Sequence, residues 1–145
     1  MTSHIIAMVF ATAGLAAAAT AQSADNGGRK LQASLTGSPE VPGPGDSNGT
    51  GTASVTVNPG QKKICYDLTV ANIGPATMAH IHAGAEGVAG PVVVALTAPA
   101  SGGSSGCVTV SRDLALKILK SPADYYVNVH NAAFPSGATR GQLAK

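Results

Sequence analysis

The stretch TASVTVNPGQKKICYDLTV, residues 52–70, decides the fold class. Its first half alternates Ala53, Val55 and Val57 with Thr52, Ser54 and Thr56. Its second half sets Ile64, Tyr66, Leu68 and Val70 against Lys63, Cys65, Asp67 and Thr69. Side chains along a strand point to opposite faces in turn, so each half reads as a strand with one apolar face. Between them, Asn58-Pro59-Gly60-Gln61 fits a type II turn: proline presets φ at the second position, and glycine accepts positive φ at the third. Together they specify an antiparallel hairpin.

The same period recurs on both sides of it. Leu31, Ala33 and Leu35 alternate with polar neighbours upstream, and a Pro- and Gly-rich loop, Gly37–Asn48, follows them. Within that region Asn48-Gly49-Thr50 matches a glycosylation acceptor. Downstream, residues 78–83 (MAHIHA) and 91–97 (PVVVALT) form short strands around a glycine loop at 84–90. Residues 98–106 (APASGGSSG) read as a flexible connection, and further strands are expected at 107–110, 124–130 and 140–143. One short helix is expected near 112–120, with Ser111 as its cap, Leu114, Ala115, Ile118 and Leu119 on one face, and Ser121-Pro122 at its end. Seven or so strands with one helix define an all-β domain: an antiparallel Greek-key sandwich or barrel, immunoglobulin-like or superoxide-dismutase-like.

Composition agrees. Of 145 residues, 11% are charged and 44% hydrophobic, with 18 glycines, nine prolines and no tryptophan. That hydrophobic content excludes disorder driven by charge. Nine Lys and Arg against seven Asp and Glu give a net charge of +2. The basic residues never cluster beyond two and no aromatic residues interleave them, so nucleic acid is not an expected partner.

Residues 1–21 carry an apolar, alanine-rich run from Ile5 to Ala18, closed by Ala19-Thr20-Ala21, and read as a signal peptide. The run is shorter than a membrane span requires. The mature chain then starts at Gln22, with a flexible leader over 22–29, a folded domain over 30–143 and no membrane span. It is secreted or periplasmic. Two cysteines, Cys65 and Cys107, are expected to form a disulfide in such a compartment. Both are out of phase with their apolar neighbours, which places the bridge on an outer sheet face or edge.

After residue 21 only three histidines remain, His80, His82 and His130. His80 and His82 project to one side of their strand, away from Ala79, Ile81 and Ala83. His130 shares a face with Asn128 and Tyr126, opposite Val127 and Val129. Three imidazoles, two of them at strand spacing, can ligate copper or zinc. The competing reading has them hydrogen-bonded to loop carbonyls beside the glycine turns. If a metal binds, Asn128, Tyr126 and Arg140 are candidates to orient the rings or attract an anion.

Other chemistry lacks support. Gly84-x-x-Gly87-x-x-Gly90 runs into the strand-like Pro91-Val92-Val93-Val94, not into the helix that a phosphate loop needs. No G-x-S-x-G appears, and Glu40 and Asp67 are isolated, so neither a serine nucleophile nor a carboxylate pair is indicated. The chain is not expected to be an enzyme.

Three motifs in order resemble the CHRD domain, the module named after chordin. Leu31–Pro42 (LQASLTGSPEVP) with Cys65-Tyr66-x-Leu68-x-Val70 resembles its opening. Ala79-His80-Ile81-His82-x-Gly84-x-x-Gly87-x-x-Gly90-Pro91-Val92-Val93 resembles its central signature. Tyr125–His130 with Pro135-x-Gly137-x-x-Arg140-Gly141-Gln142-Leu143 is similar to its ending. The resemblance implies an extracytoplasmic all-β domain and brings no established activity; the chain is expected to be a secreted binding or structural module with an extracellular or envelope partner. The growth-factor-binding modules that accompany these domains in chordin are not part of the resemblance. A fainter similarity, H-x-H with a later His and an Arg before Gly, is to copper/zinc superoxide dismutase. That family uses more histidines plus an aspartate, so three histidines cannot build its paired site.

Cleavage after Ala21 predicts exported protein whose mass begins at Gln22, within a residue or two. Intact-mass measurement checks this, and a full-length mass from a cytoplasmic pool would contradict it.

Overall fold

The computed structural model describes residues 26–145, so the expected signal peptide and residues 22–25 lie outside the described part. Eight strands are found among the described residues: β1 (Arg29–Thr36), β2 (Thr50–Asn58), β3 (Lys63–Ala71), β4 (Ala76–Ala83), β5 (Val92–Leu96), β6 (Gly103–Thr109), β7 (Tyr125–Asn131) and β8 (Thr139–Gln142). One helix, α1 (Arg112–Lys120), and a 3-10 turn, Pro122–Asp124, link β6 to β7. All pairings are antiparallel, in the order β5-β4-β7-β8-β1-β2-β3-β6. The two ends, β5 and β6, come into contact and nearly close the sheet into a barrel. The long β6–β7 connection returns the chain beside β4, so spatial order β7-β4-β5-β6 is a Greek key.

The hairpin at residues 52–70 pairs apolar with apolar: Val55 opposes Tyr66, and Val57 opposes Ile64. Its turn is not the type II form. The residue with positive φ is Lys62 (φ 52), and Gly60 is not among those with positive φ. Asn58 explains the change, because its Oδ1 accepts the Gln61 N–H at 3.0 Å, the N–H that its own carbonyl would accept in a type II turn. The inner face is filled by residues such as Leu31, Val55, Ile64, Leu68, Ile81 and Val127, each at most 2% exposed. α1 adds Ala115 and Ile118 to that core. Ser111 Oγ caps it by accepting the Leu114 N–H at 3.0 Å. No helix among the described residues is long and apolar enough to cross a membrane.

Two expectations change. The flexible connection at 98–106 ends early, because β6 begins at Gly103 and pairs with β3. Its Gly and Ser residues have little strand propensity, so the pairing is imposed by β3 and by the disulfide, a tertiary override of local preference. The leader expected to be flexible over 22–29 is anchored at its described end. Asn26 is buried, and its Nδ2 donates to the Thr56 carbonyl at 3.1 Å and the Lys63 carbonyl at 3.3 Å. β1 accordingly starts at Arg29.

Cys65 and Cys107 are directly opposed in the β3–β6 register and form a disulfide across 42 residues of sequence. The bridge lies on the face opposite Ile64 and Tyr66, as the phase of the sequence requires. Tyr66 reaches inward to the seam, where its hydroxyl accepts the Thr97 N–H at 2.8 Å; Ser104 Oγ of β6 donates to the Thr97 carbonyl at 2.7 Å. A loop of this length predicts that Cys65→Ala/Cys107→Ala lowers unfolding free energy by roughly 2–4 kcal/mol, as read from urea denaturation.

Candidate metal centre

The outer faces of β4, β7 and β8 carry the polar residues of this molecule's second interior. Alternation sends Ala79 and Ile81 of β4, and Val127 and Val129 of β7, into the core. His80 and His82, and Tyr126, Asn128 and His130, therefore point the other way. That face is not open to water. Every residue of β7 is buried on both sides, because three loops fold over it.

Arg140 of β8 draws in one loop. Its Nη1 donates to the Val88 carbonyl at 2.8 Å and its Nη2 to the Ala85 carbonyl at 2.9 Å, while Nε and Nη2 both reach Gln142 Oε1. Gln142 Nε2 in turn donates to the Gly84 and Ala123 carbonyls. The 84–90 segment is thus a turn held through its backbone carbonyls by Arg140 and Gln142, with Gly87 at φ +78, and it leads into a strand. Asp46 N donates to the Ala138 carbonyl, joining the loop after β1 to the loop after β7. Gly137 (φ +141) lies against the Glu40 carboxyl so closely that any Cβ there would collide with it.

Under these loops the three histidines meet. Ring centroids are 5.1 Å apart for His80–His130, 5.4 Å for His80–His82 and 6.5 Å for His82–His130. One ligand nitrogen from each lies within 4.8 Å of the others. Both readings of the histidines hold, at opposite nitrogens of the same rings. His82 Nδ1 donates to the Gly90 carbonyl at 2.8 Å, and His130 Nδ1 donates to the Pro135 carbonyl at 2.9 Å. A carbonyl only accepts, so in the neutral rings each Nε2 carries a free lone pair. His82 Nε2 is buried without a hydrogen-bond partner. His130 Nε2 faces His80 Nδ1 at 3.2 Å.

A tetrahedral ion with bonds of ~2.0–2.1 Å separates its ligand nitrogens by about 3.3–3.4 Å. The His80–His130 pair already meets that spacing at 3.2 Å, and the nitrogen from His82 lies within 4.8 Å of both. Burial, with the neighbouring rings, holds His80 below the ordinary imidazole value. Burial also lowers His130, against the raising effect of its bond to Pro135. Both shifts favour the neutral ring, the form that binds metal.

The three neighbours named from sequence behave differently. Tyr126 stacks on His82 at 4.7 Å with planes 6° apart, fixing that ring. Asn128 sits beside Glu40. Arg140 offers no open site to an external anion: it is 1% exposed, its Nε, Nη1 and Nη2 all donate to the carbonyls or Gln142, and its guanidinium lies 3.4 Å from the Tyr126 ring centroid. It positions Tyr126 and the loop.

The pattern that defines the CHRD domain matches residues 31–143, which include every residue of this site. The chain belongs to the CHRD domain family. No curated protein and no solved structure matches it. In this CHRD domain, the central H-x-H signature and the terminal Tyr-Tyr-x-Asn-x-His signature are the two halves of one cluster, brought side by side by the β4–β7 pairing.

Glu40 was read from sequence as an isolated carboxylate, yet it is part of the same interior. It is buried, and its Oε1 has no hydrogen-bond partner. Burial pushes its pKa from 4.5 up to about 7, against the opposing effects of Arg140, the Val41 N–H and Asn128. A raised folded-state pKa means that the stability linked to this proton is full below pH 4.5 and lost as pH rises through about 7. Glu40→Gln removes that dependence. Unfolding free energy of the variant relative to the parent should shift in its favour by about 1–3 kcal/mol between about pH 5 and about pH 8. Parallel pH profiles in denaturant melts would contradict this.

Proposed function

We propose that this CHRD domain is an exported metal-binding module that holds one copper or zinc ion on His80, His82 and His130. The carrying observation is the convergence of three ring nitrogens, one from each histidine, within 4.8 Å, beside a buried His82 Nε2 that has no hydrogen-bond partner. Two of the rings are oriented by carbonyls behind them, the arrangement that ligating histidines commonly have. The disulfide and the alanine-rich residues 1–21 support export. The family supports a binding or structural module, and the site supports binding over catalysis. The buried Glu40 carboxyl is turned toward Arg140 and Asn128 and is not in the ligand group.

A structural reading has one observation in its favour. A proton on His80 Nδ1 can bridge to His130 Nε2 at 3.2 Å and close that pair without an ion. Titration separates the two. Metal-free protein should bind one equivalent of copper(II) or zinc(II) by calorimetry, and His82→Ala and His130→Ala should each weaken binding at least about 10- to 100-fold. Uptake no tighter in the parent than in both variants would leave the histidines as loop fasteners.

A further inference from the structure

We propose that Met78 supplies a fourth, thioether ligand to the three-histidine cluster and makes it selective for copper(I). This inference rests on the metal-binding reading above. Met78 is two residues before His80 on β4, so the two share the outer strand face. Its register partner across the sheet is His130 itself. Directly opposed residues have Cβ atoms about 4.5–5.5 Å apart, within reach of an unbranched side chain with three rotatable bonds. The β4–β7 register shifts between Ala76 and Met78, and such irregularities re-aim side chains beside functional sites. Met78 is 47% exposed while its neighbour Ala79 is 1% exposed, so the side chain is uncommitted to the core. It is also the sole methionine of residues 26–145.

Two independent physical arguments select the ion. A thioether is a soft donor that favours copper(I), whereas zinc takes imidazole, thiolate and carboxylate oxygen. Charge points the same way. The candidate donors are three neutral imidazoles and a thioether, and the ligand group contains no carboxylate or thiolate. A buried guanidinium, Arg140, stacks on the Tyr126 ring that stacks on His82. A monovalent ion leaves less uncompensated charge in such surroundings than a divalent one.

The test measures copper(I) affinity by competition with bicinchoninate and zinc(II) affinity by competition with a chromophoric chelator. The protein is the disulfide-bonded mature chain, as parent, Met78→Leu and His82→Ala. Met78→Leu should lower the ratio of copper(I) to zinc(II) affinity about tenfold or more. It should also remove a sulfur scatterer from the copper X-ray absorption spectrum, with an unchanged melting temperature. An unchanged ratio in Met78→Leu, alongside lost binding in His82→Ala, would overturn the thioether ligand and leave the three-histidine site standing. Equal losses for both metals would overturn the selectivity. Copper(I) binding that survives His82→Ala undiminished would overturn the metal-binding reading and this inference with it.

Discussion

A guanidinium buried at 1% exposure is the constraint on which the rest of the site depends. Removing such a charge from water costs several kcal/mol unless its donors are all met. Arg140 meets most of that requirement with the carbonyls of Ala85 and Val88 and with Gln142 Oε1, and the two carbonyls bring the glycine loop down over the sheet. Its flat face then rests on Tyr126, and Tyr126 rests on His82, so a single stack transmits its position to a candidate ligand ring. Once the loop is seated, the Gly90 carbonyl reaches His82 Nδ1 and decides which nitrogen of that ring is left free.

Glu40 completes the arrangement from the other side. It arrives from the loop after β1 and lies against Gly137, whose positive φ and missing Cβ leave room for the carboxyl. The same stretch of chain, between Phe134 and Ala138, presents the Pro135 carbonyl to His130. Burial and Arg140 pull the Glu40 proton equilibrium in opposite directions, and burial prevails. Burial thus favours the neutral carboxyl over a fixed ion pair with Arg140.

Much of this was legible in the chain. The period-two pattern of residues 52–70 fixed a hairpin and its inner face, Ser111 announced the helix, and strand phase put all three histidines on the face opposite the core. Phase alone also placed the Cys65–Cys107 bridge on the outside. What it does not contain is the cover. Strand alternation distinguishes core from non-core, but whether the non-core side is wet depends on loops from positions 40, 88 and 135 meeting residue 140. Glu40 looked isolated because its partners are about a hundred residues away. The start of β6 was hidden for a related reason, since Gly103–Gly106 become a strand only when β3 lies alongside. The turn at Pro59-Gly60 failed more locally: the Asn58 side chain competes for the N–H that a backbone turn would use.

The near closure of the sheet has a consequence for crowded or concentrated conditions. An open sheet of this length would present two rows of unsatisfied backbone groups to other molecules, a template for strand addition and self-association. Here the two rims face each other, fastened by Tyr66 and Ser104 to the same residue, Thr97. Parting that fastening would expose both rims in one event, and with them the interior they close over, where Val94 and Leu96 of β5 lie buried. The seam between β5 and β6, fastened at Thr97, is therefore the place where strand addition by another molecule would have to begin.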